Sequence, residues 1–473
     1  MKKIITFTDN DFKRAYTYLL PSGEEETDTY LLQSGQEEAV FFLAGTSKTK
    51  EILNLLVREV IPVPSDGFLK KEHTYLSIDP DFMMPIIKRA KLEELSVISA
   101  HSHPWKQFVL PGSHGTECAT FSTIDDRGDE LLFPRIQQRV PNRPHASMVF
   151  ALSGIDARLW ESGARESQPL DFIRVVGHTI KEIYPTSSPQ IDETKLSEMH
   201  DRQILAFGEV GQERIQKTKV GIVGLGGTGS LVFQQLAHLG VKRFTIVDDD
   251  CVEKSNRSRI VGSSPEDSTT GRPKVEVMER LGKEIDPSVE IHTVRNSVNN
   301  LSAALQLRDA DIIFCCTDNL SSRLVLNRIA LQYLIPLIDI GIKIQSTEQG
   351  KIHSACGRVM VLLPDDPCLA CLGIITPEAL QLESDHETGY ISGENIPDPS
   401  VISLNGVVAS LAVTEFIDLL TGFERRKEHG TYQIYDILKG VIWREKTTPT
   451  HPCNTCSEVR ALGDNLQLPC KSD

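Results

Sequence analysis

The stretch Val220–Asp250, VGIVGLGGTGSLVFQQLAHLGVKRFTIVDDD, constrains the chain more than any other. Val220–Val223 is an apolar run of strand length. Gly224, Gly226 and Gly229 form a G-x-G-x-x-G turn, with Gly227 as an additional glycine. Leu231–Leu239 then keeps apolar residues at helical spacing. Phe244–Val247 is a second apolar run, closed by Asp248, Asp249 and Asp250. Strand, glycine turn, helix and strand open a nucleotide-binding βαβ unit. The glycines let backbone N–H groups approach phosphate at a helix N-terminus, and an acid follows at the next strand end.

Such a turn alone also suits a dehydrogenase, with Asp248 on a ribose hydroxyl. The residues downstream separate the two readings. Asp248 and Asp250 are succeeded by Ser255-Asn256-Arg257-Ser258-Arg259, and Lys274 opens a helix in GRPKVEV. An apolar strand, Asp311–Cys316, ends in Thr317-Asp318-Asn319, with Arg323 one turn on. Hydride transfer has no need of two more cations and an acid converging on the phosphate end. Splitting ATP between its α and β phosphates does. Arg259 and Lys274 neutralise triphosphate charge, while Asp318 and Asp250 hold magnesium.

Cys368 and Cys371 make one C-x-x-C pair, Cys453 and Cys456 a second. Two such pairs point to a four-thiolate zinc site, closed and hence structural, stapling the chain's end onto the domain. The ten cysteines stand in a chain whose start, MKKIITFTDNDF, has an apolar stretch too short for a secretion signal. Metal ligation or burial therefore outweighs disulfide formation. Cys315 and Cys316 fall in the apolar strand, Cys251 and Cys356 have no base nearby in sequence, and Cys470 is in a polar tail.

The N-terminal third reads as a short helix over Asp11–Leu20, an acidic turn feeding a buried strand over Gln36–Gly45, and a strand over Ile52–Pro64. A helix over Pro80–Leu92 follows. The strand Leu95–Ala100 delivers His101-Ser102-His103-Pro104, and Phe121-Ser122 and Asp125-Asp126 come after an insertion. Histidines at i and i+2 on a strand end point the same way and suit a metal. Asp125 is the third ligand, leaving one position open for water. Glu38 is the candidate general base, with Glu37, Glu25 and Glu26 nearby, and Ser122 the candidate oxyanion donor.

A net charge of −15 argues against a general nucleic-acid binder. The sequence shows no run read as long enough to cross a membrane, so the chain reads as cytoplasmic.

Residues 1–165 resemble a JAB/MPN domain with the JAMM metalloprotease motif: E-A-V-F-F-L-x-G, then H-S-H-P, then S-x-x-D. The resemblance implies zinc held by His101, His103 and Asp125, with Glu38 as base and Ser122 as oxyanion helper. It implies cleavage after the C-terminus of ubiquitin-like proteins. The gap between His103 and Ser122, which holds His114 and Cys118, is longer than is usual in that family and reads as a substrate loop or the mark of a degenerate site.

Residues 166–198, with the run Tyr184-Pro185-Thr-Ser-Ser-Pro-Gln, read as a linker. Residues 199–473 resemble the ThiF/MoeB superfamily, the adenylating core of ubiquitin-activating enzymes. The match rests on Arg202-Gln203, GLGGTGS, DDD, S-N-x-x-R, Lys274, T-D-N and both C-x-x-C pairs. It implies Mg-ATP-dependent adenylation of the C-terminal glycine of a ubiquitin-like protein, with a conjugating enzyme as later partner. Gly227 approaches the phosphates and Asp248 holds the ribose. Asn256, Arg259 and Lys274 bind the triphosphate, and Asp318 with Asn319 serves magnesium. Arg202 resembles an arginine that reaches into a partner's site, which implies a homodimer. Many members carry a cysteine after the first C-x-x-C for thioester or persulfide chemistry; this chain has none between Cys371 and Cys453.

The expected fold is α/β: a Rossmann-like adenylation domain with a structural zinc site, plus an N-terminal α+β JAB/MPN-like domain. The expected function is an activating enzyme fused to a JAMM peptidase that trims or removes the modifier. The pairing resembles bacterial ubiquitin-like conjugation operons, some linked to phage defence. The alternatives are a JAB domain that only docks its partner, and an adenylyltransferase serving sulfur transfer or peptide modification.

Overall fold

In a computed structural model of the chain, residues 1–20, 37–72, 75–103, 119–188, 197–347, 349–387, 399–422, 432–445 and 453–471 are described. The chain divides into two compact units. One comprises Met1–Asp192 and Arg460–Gln467, the other Glu193–Val459 and Leu468–Asp473.

The first unit contains β1 (Lys2–Thr8), α1 (Asp9–Leu19), β2 (Ala39–Lys48), β3 (Ile52–Pro62), β4 (Phe68–Glu72), β5 (Tyr75–Ile78), α2 (Pro80–Leu92), β6 (Ser96–His103) and α3 (Thr123–Arg139). It continues with β7 (His145–Ala151), β8 (Gly154–Trp160), β9 (Gln168–Pro169), β10 (Phe172–Val176) and β11 (Lys181–Ile183). Nine strands form one mixed sheet in the order β11-β10-β1-β3-β2-β6-β7-β8-β9, with β4-β5 a separate hairpin.

The continuous apolar run of β2 is explained by burial on both faces. Val40, Phe42 and Ala44 enter the core that includes Phe7, Phe150 and residues of α1. Ala39, Phe41 and Leu43 enter the core that includes Phe133, Trp160 and residues of α2. This period-2 alternation decides which side chains can meet in the candidate site.

Two expectations about boundaries do not hold. The expected linker at 166–198 contains β9 to β11, and β10 pairs in parallel with β1, Ile5 against Ile173. Its burial on both faces, with Phe172, Ile173, Val175 and Val176 buried, is that of a core strand despite the prolines that follow. Residues 460–467, expected in the second domain, fold with the first unit: Arg460 reaches Asp11 and Thr8.

The second unit contains α4 (Asp201–Lys217), β12 (Lys219–Val223), α5 (Gly227–Leu239), β13 (Arg243–Val247), α6 (Pro265–Thr270), α7 (Lys274–Ile285), β14 (Glu290–Val294), α8 (Leu301–Ala304) and β15 (Ile312–Cys315). Then come α9 (Leu320–Tyr333), β16 (Leu337–Ser346), β17 (Ile352–Leu362), α10 (Pro377–Glu387), α11 (Ile402–Thr421), β18 (Tyr432–Asp436), β19 (Val441–Glu445) and α12 (Asn454–Val459). The strand order is β14-β13-β12-β15-β16-β17-β18-β19. Pairing is parallel from β14 to β16 and antiparallel from β16 to β19. This is a Rossmann-like α/β fold. Strand order reverses direction between β12 and β15, and such a switch point opens a crevice beyond the strands' C-terminal ends.

The statement that no run is long enough to cross a membrane is overturned by α11, whose 20 residues reach a mean hydropathy of 1.5 over an 18-residue window. Packing supplies the reason for its apolarity. It lies against α5, β16 and β17. It also buries Glu415, which takes an ion pair from Arg444 at 2.7 Å.

Candidate active sites

The turn between β12 and α5 sits in the crevice of the second unit. Gly224 has φ 86° and lies against the Cys316 carbonyl, where a β-carbon would come within 2.8 Å of the oxygen. A side chain is excluded there by both conformation and space. Helix α5 begins at Gly227, earlier than the apolar spacing indicates, because small residues without apolar character make its first turn. Its first N–H groups therefore face the crevice without helical partners, as an anion requires.

Asp248 ends β13 and is 7% exposed. Its carboxylate accepts the N–H of Leu225 at 2.6 Å and that of Asp250 at 2.9 Å. Lys274, the first residue of α7, is buried, with Nζ 3.5 Å from Asp248 and 2.6 Å from Asp250. Burial opposes the ammonium charge, but the two carboxylates outweigh it and raise the Lys274 pKa. Burial raises that of Asp248, partly offset by Lys274. The Cγ and Cδ of Arg259 line the space beside Gly227, and its guanidinium donates to the Ser255 carbonyl at 3.1 Å.

Other residues of the expected set hold different places. Both ends of the Asn256 amide are engaged by the loop, accepting from Glu253 N–H and donating to the Cys251 carbonyl. Asp318 is exposed beyond β15, and Asn319 caps α9 by accepting the Ser322 N–H at 2.8 Å. Arg323, one turn on, is buried against Asp339, Nε to Oδ1 2.9 Å, and Arg358 reaches the other oxygen at 3.0 Å. Arg202 is exposed on α4, whose helical path breaks at Gly208 with φ 74°. Cys470 is anchored by its neighbours: Lys471 N–H donates to the Asn299 carbonyl.

The four cysteines of the two C-x-x-C pairs converge. Sulfur separations are 3.7 Å for Cys368–Cys371, 3.8 Å for Cys368–Cys453 and 3.5 Å for Cys371–Cys456. A tetrahedron with metal–sulfur bonds of about 2.3 Å has edges of about 3.8 Å, so the donor set fits zinc. Cys368 is held down to about 5, first by the bond from Cys456 and then, against burial, by neighbouring N–H groups and Asn327. Asn327, which the sequence reading missed, also accepts the Leu369 N–H at 3.0 Å.

In the first unit, β6 runs through His103 rather than ending at Ala100. His101 pairs with Ala39 of β2, and Val97 fixes the odd positions of β6 on the α3 side. His101 and His103 share that side, with Nε2 atoms 3.2 Å apart. Asp125 lies 3.0 Å from His101 and 3.5 Å from His103. Two imidazoles and a carboxylate in this arrangement fit a zinc ion with a position to spare.

Ser122 caps α3, its hydroxyl accepting the Asp125 N–H at 3.2 Å while Asp125 takes the Ser122 N–H at 2.6 Å. This capping box aims Asp125 and leaves the Ser122 hydroxyl proton to donate. Arg158, also unforeseen, steadies the same helix end. It pairs with Asp126 and Asp129, each at 2.6 Å, and lies 3.8 Å over the Phe121 ring.

Glu38 is misplaced as a base. It bonds Lys71 at 2.5 Å, and its backbone meets Ser102, at an even position facing away from the histidines. Glu37, two residues before Ala39, shares the histidines' side of the sheet. It is 5% exposed and pushed up to about 7 by burial, with His101 lowering it and Asp125 raising it further. The pairing of Ala39 with His101 is what separates the two glutamates. Glu25, Glu26 and the insertion at 104–118 lie outside the described residues.

The second unit is thus of the doubly wound nucleotide-binding class, its glycine turn served by an acid and two cations from the following strand and crossover. Residues 200–457 match the ThiF family, and the chain belongs to that family. It is 29% identical over 273 residues to the SAMP-activating enzyme E1 of Haloferax volcanii, spanning 57% of this chain and 91% of that protein. It is 30% identical over 261 residues to the molybdopterin-synthase adenylyltransferase of Escherichia coli K12, spanning 55% and 96%. The crystal structure of E. coli MccB with ATP aligns at 19% identity and a TM-score of 0.45, over 55% of this chain and 75% of that one.

Proposed function

We propose that the second unit adenylates the C-terminal glycine of a ubiquitin-like protein at the expense of ATP. The observation that carries this reading is Lys274, buried between Asp248 and Asp250 beside the glycine turn. The two relatives, a SAMP-activating enzyme and a molybdopterin-synthase adenylyltransferase, support it. The N–H groups at the start of α5 receive the phosphate chain, and Asp248 receives the ribose. Arg259 and Lys274 offset the charge that develops as the substrate carboxylate attacks the α-phosphorus. The bond to the β-phosphate oxygen breaks and pyrophosphate leaves. Magnesium, held by Asp250 and Asp318, would balance the charge of the departing pyrophosphate. Arg202, exposed on α4, is assigned to the site of a second copy in a homodimer.

The four-cysteine cluster would hold a structural zinc. The first unit is assigned a zinc peptidase site of the JAMM type, acting after the C-terminus of the same modifier. Zinc on His101, His103 and Asp125 would polarise the scissile carbonyl. Glu37 takes a proton from the water that attacks the scissile carbonyl and returns it to the amine that leaves as the C–N bond breaks, and the Ser122 hydroxyl donates to the developing oxyanion.

The test is to mix the protein with Mg-ATP and candidate proteins ending in glycine, then follow pyrophosphate exchange and intact mass. An adenylate on the terminal glycine is expected, and a shortened precursor where the peptidase acts. Exchange driven only by a short peptide would replace this reading with peptide modification. Exchange with a sulfur-carrier protein and no conjugate in the presence of a conjugating enzyme would replace it with sulfur transfer.

A further inference from the structure

Gly227 begins α5, and side chains fill the space where its own would stand. A β-carbon there would overlap the amide nitrogen of Asn405 and lie 3.2 Å from Arg259 Cδ. Asn405 comes from the first turn of α11, far along the chain from the glycine turn. It is 1% exposed. Its amide nitrogen donates to Ser400 Oγ at 3.0 Å, and its carbonyl oxygen is buried with no hydrogen-bond partner among the described residues.

A buried amide end without a partner is costly enough that folded proteins rarely keep one. The two ends of an asparagine amide exchange places on a half-turn of the side chain. Ser400 serves either arrangement, because its hydroxyl both donates and accepts. In the arrangement present Ser400 takes one N–H of the amide nitrogen, and the second N–H is left to donate. The amide nitrogen is the end that lies beside Gly227, at the N-terminus of a 13-residue helix and next to the Arg259 stem, where anions are favoured. A neutral donor contributes there without adding charge to a site already served by Arg259 and Lys274.

We propose that Asn405 is a binding residue of the nucleotide site, its amide donating to a phosphate oxygen of bound ATP. The proposal rests on the assignment of the glycine turn as the ATP site. It also gives Gly227 a second reason to lack a side chain: the room is needed by the amide as well as by the ligand.

Calorimetric titration of the full-length protein with Mg-ATP, and with adenosine as the phosphate-free control, tests it. Asn405→Ala is expected to weaken ATP by about 10- to 100-fold, the size of one hydrogen bond to a charged group. Adenosine affinity should stay within about twofold by the same reasoning. Asn405→Asp keeps the shape but turns a carboxylate on the phosphates. It should lose more ATP affinity than the alanine variant and stands in for it should that variant fail to fold. ATP affinity unchanged in both variants would overturn the proposal, as would equal losses for ATP and adenosine, which would mean the side chain only packs. A wild-type protein that binds no ATP would instead overturn the assignment of the turn, and this proposal with it.

Discussion

The carboxylate of Asp248 accepts the N–H of Leu225 at 2.6 Å, tying the end of β13 to the glycine turn after β12. The same carboxylate holds Lys274, so one buried acid fixes both the backbone and the cation of the site. Lys274→Ala should therefore reduce pyrophosphate exchange by about 100- to 1000-fold, as removal of a preorganised charge at a developing anion does. Asp248→Ala should lose exchange too, and should also loosen the turn, seen as faster hydrogen exchange at Leu225. Loss of exchange without loosening in Lys274→Ala and with it in Asp248→Ala would separate the two roles. Equal exchange in wild type and Lys274→Ala would rule the site out.

Glu37 and Glu38 are adjacent in sequence and point to opposite faces of the sheet. Glu37→Gln should abolish cleavage of a ubiquitin-like precursor while leaving pyrophosphate exchange intact. Glu38→Gln removes only the pair with Lys71, both partners partly exposed, and should change cleavage less than about threefold. A discontinuous assay on a precursor with a C-terminal extension reads both. Cleavage lost in Glu38→Gln and kept in Glu37→Gln would reverse the assignment.

The glycine turn, its acid and the two C-x-x-C pairs are legible in sequence because each depends on short spacing within one stretch. Spacing alone does not say that the cysteine pairs meet; the closed chemistry of four thiolates does. The choice between Glu37 and Glu38 is not legible in that way, because parity is set by pairing with β6, and Ala39 opposite His101 is a tertiary fact. The partner of Arg323 is hidden from the sequence for the same reason. A cation one turn after T-D-N looks free until Asp339, on the next strand, is found bonded to it. Asn405 carries no sequence signal at all: it reaches Gly227 only because α11 packs on α5. The residues 460–467 follow a zinc-type cysteine pair and would be assigned to the second unit by any local rule, yet they fold with the first.

The cysteine cluster and the His101 set make two donor groups of different chemistry. Metal analysis of the purified protein should give about two zinc ions per chain, one for each closed or open donor set. Cys456→Ser should remove one of them and lower stability, because α12 and Val459 pack on the same cluster as Leu331. His101→Ala should remove the other with little change in the melting temperature, since it leaves the sheet core untouched. A single zinc in wild type, unaffected by His101→Ala, would show that the first unit does not hold metal under those conditions.

His145 offers a pH dependence away from both sites. It is fully buried, its Nδ1 accepting the Val97 N–H at 3.0 Å and its Nε2–H donating to the Val140 carbonyl at 3.3 Å. Burial pulls its pKa down to about 4 against these two bonds. The unfolded chain binds the proton near the ordinary histidine value of about 6.5, so between there and 4 the unfolded state gains stability that the folded state does not. The neutral ring's contribution is whole above pH 6.5 and is lost as pH falls through 4, a total of about 3 kcal/mol. Urea unfolding of wild type and His145→Gln across this range isolates it, because every other titrating group is common to both. The wild-type curve should fall more steeply by about that amount; parallel curves would mean that the folded protein accepts a charged ring at this position.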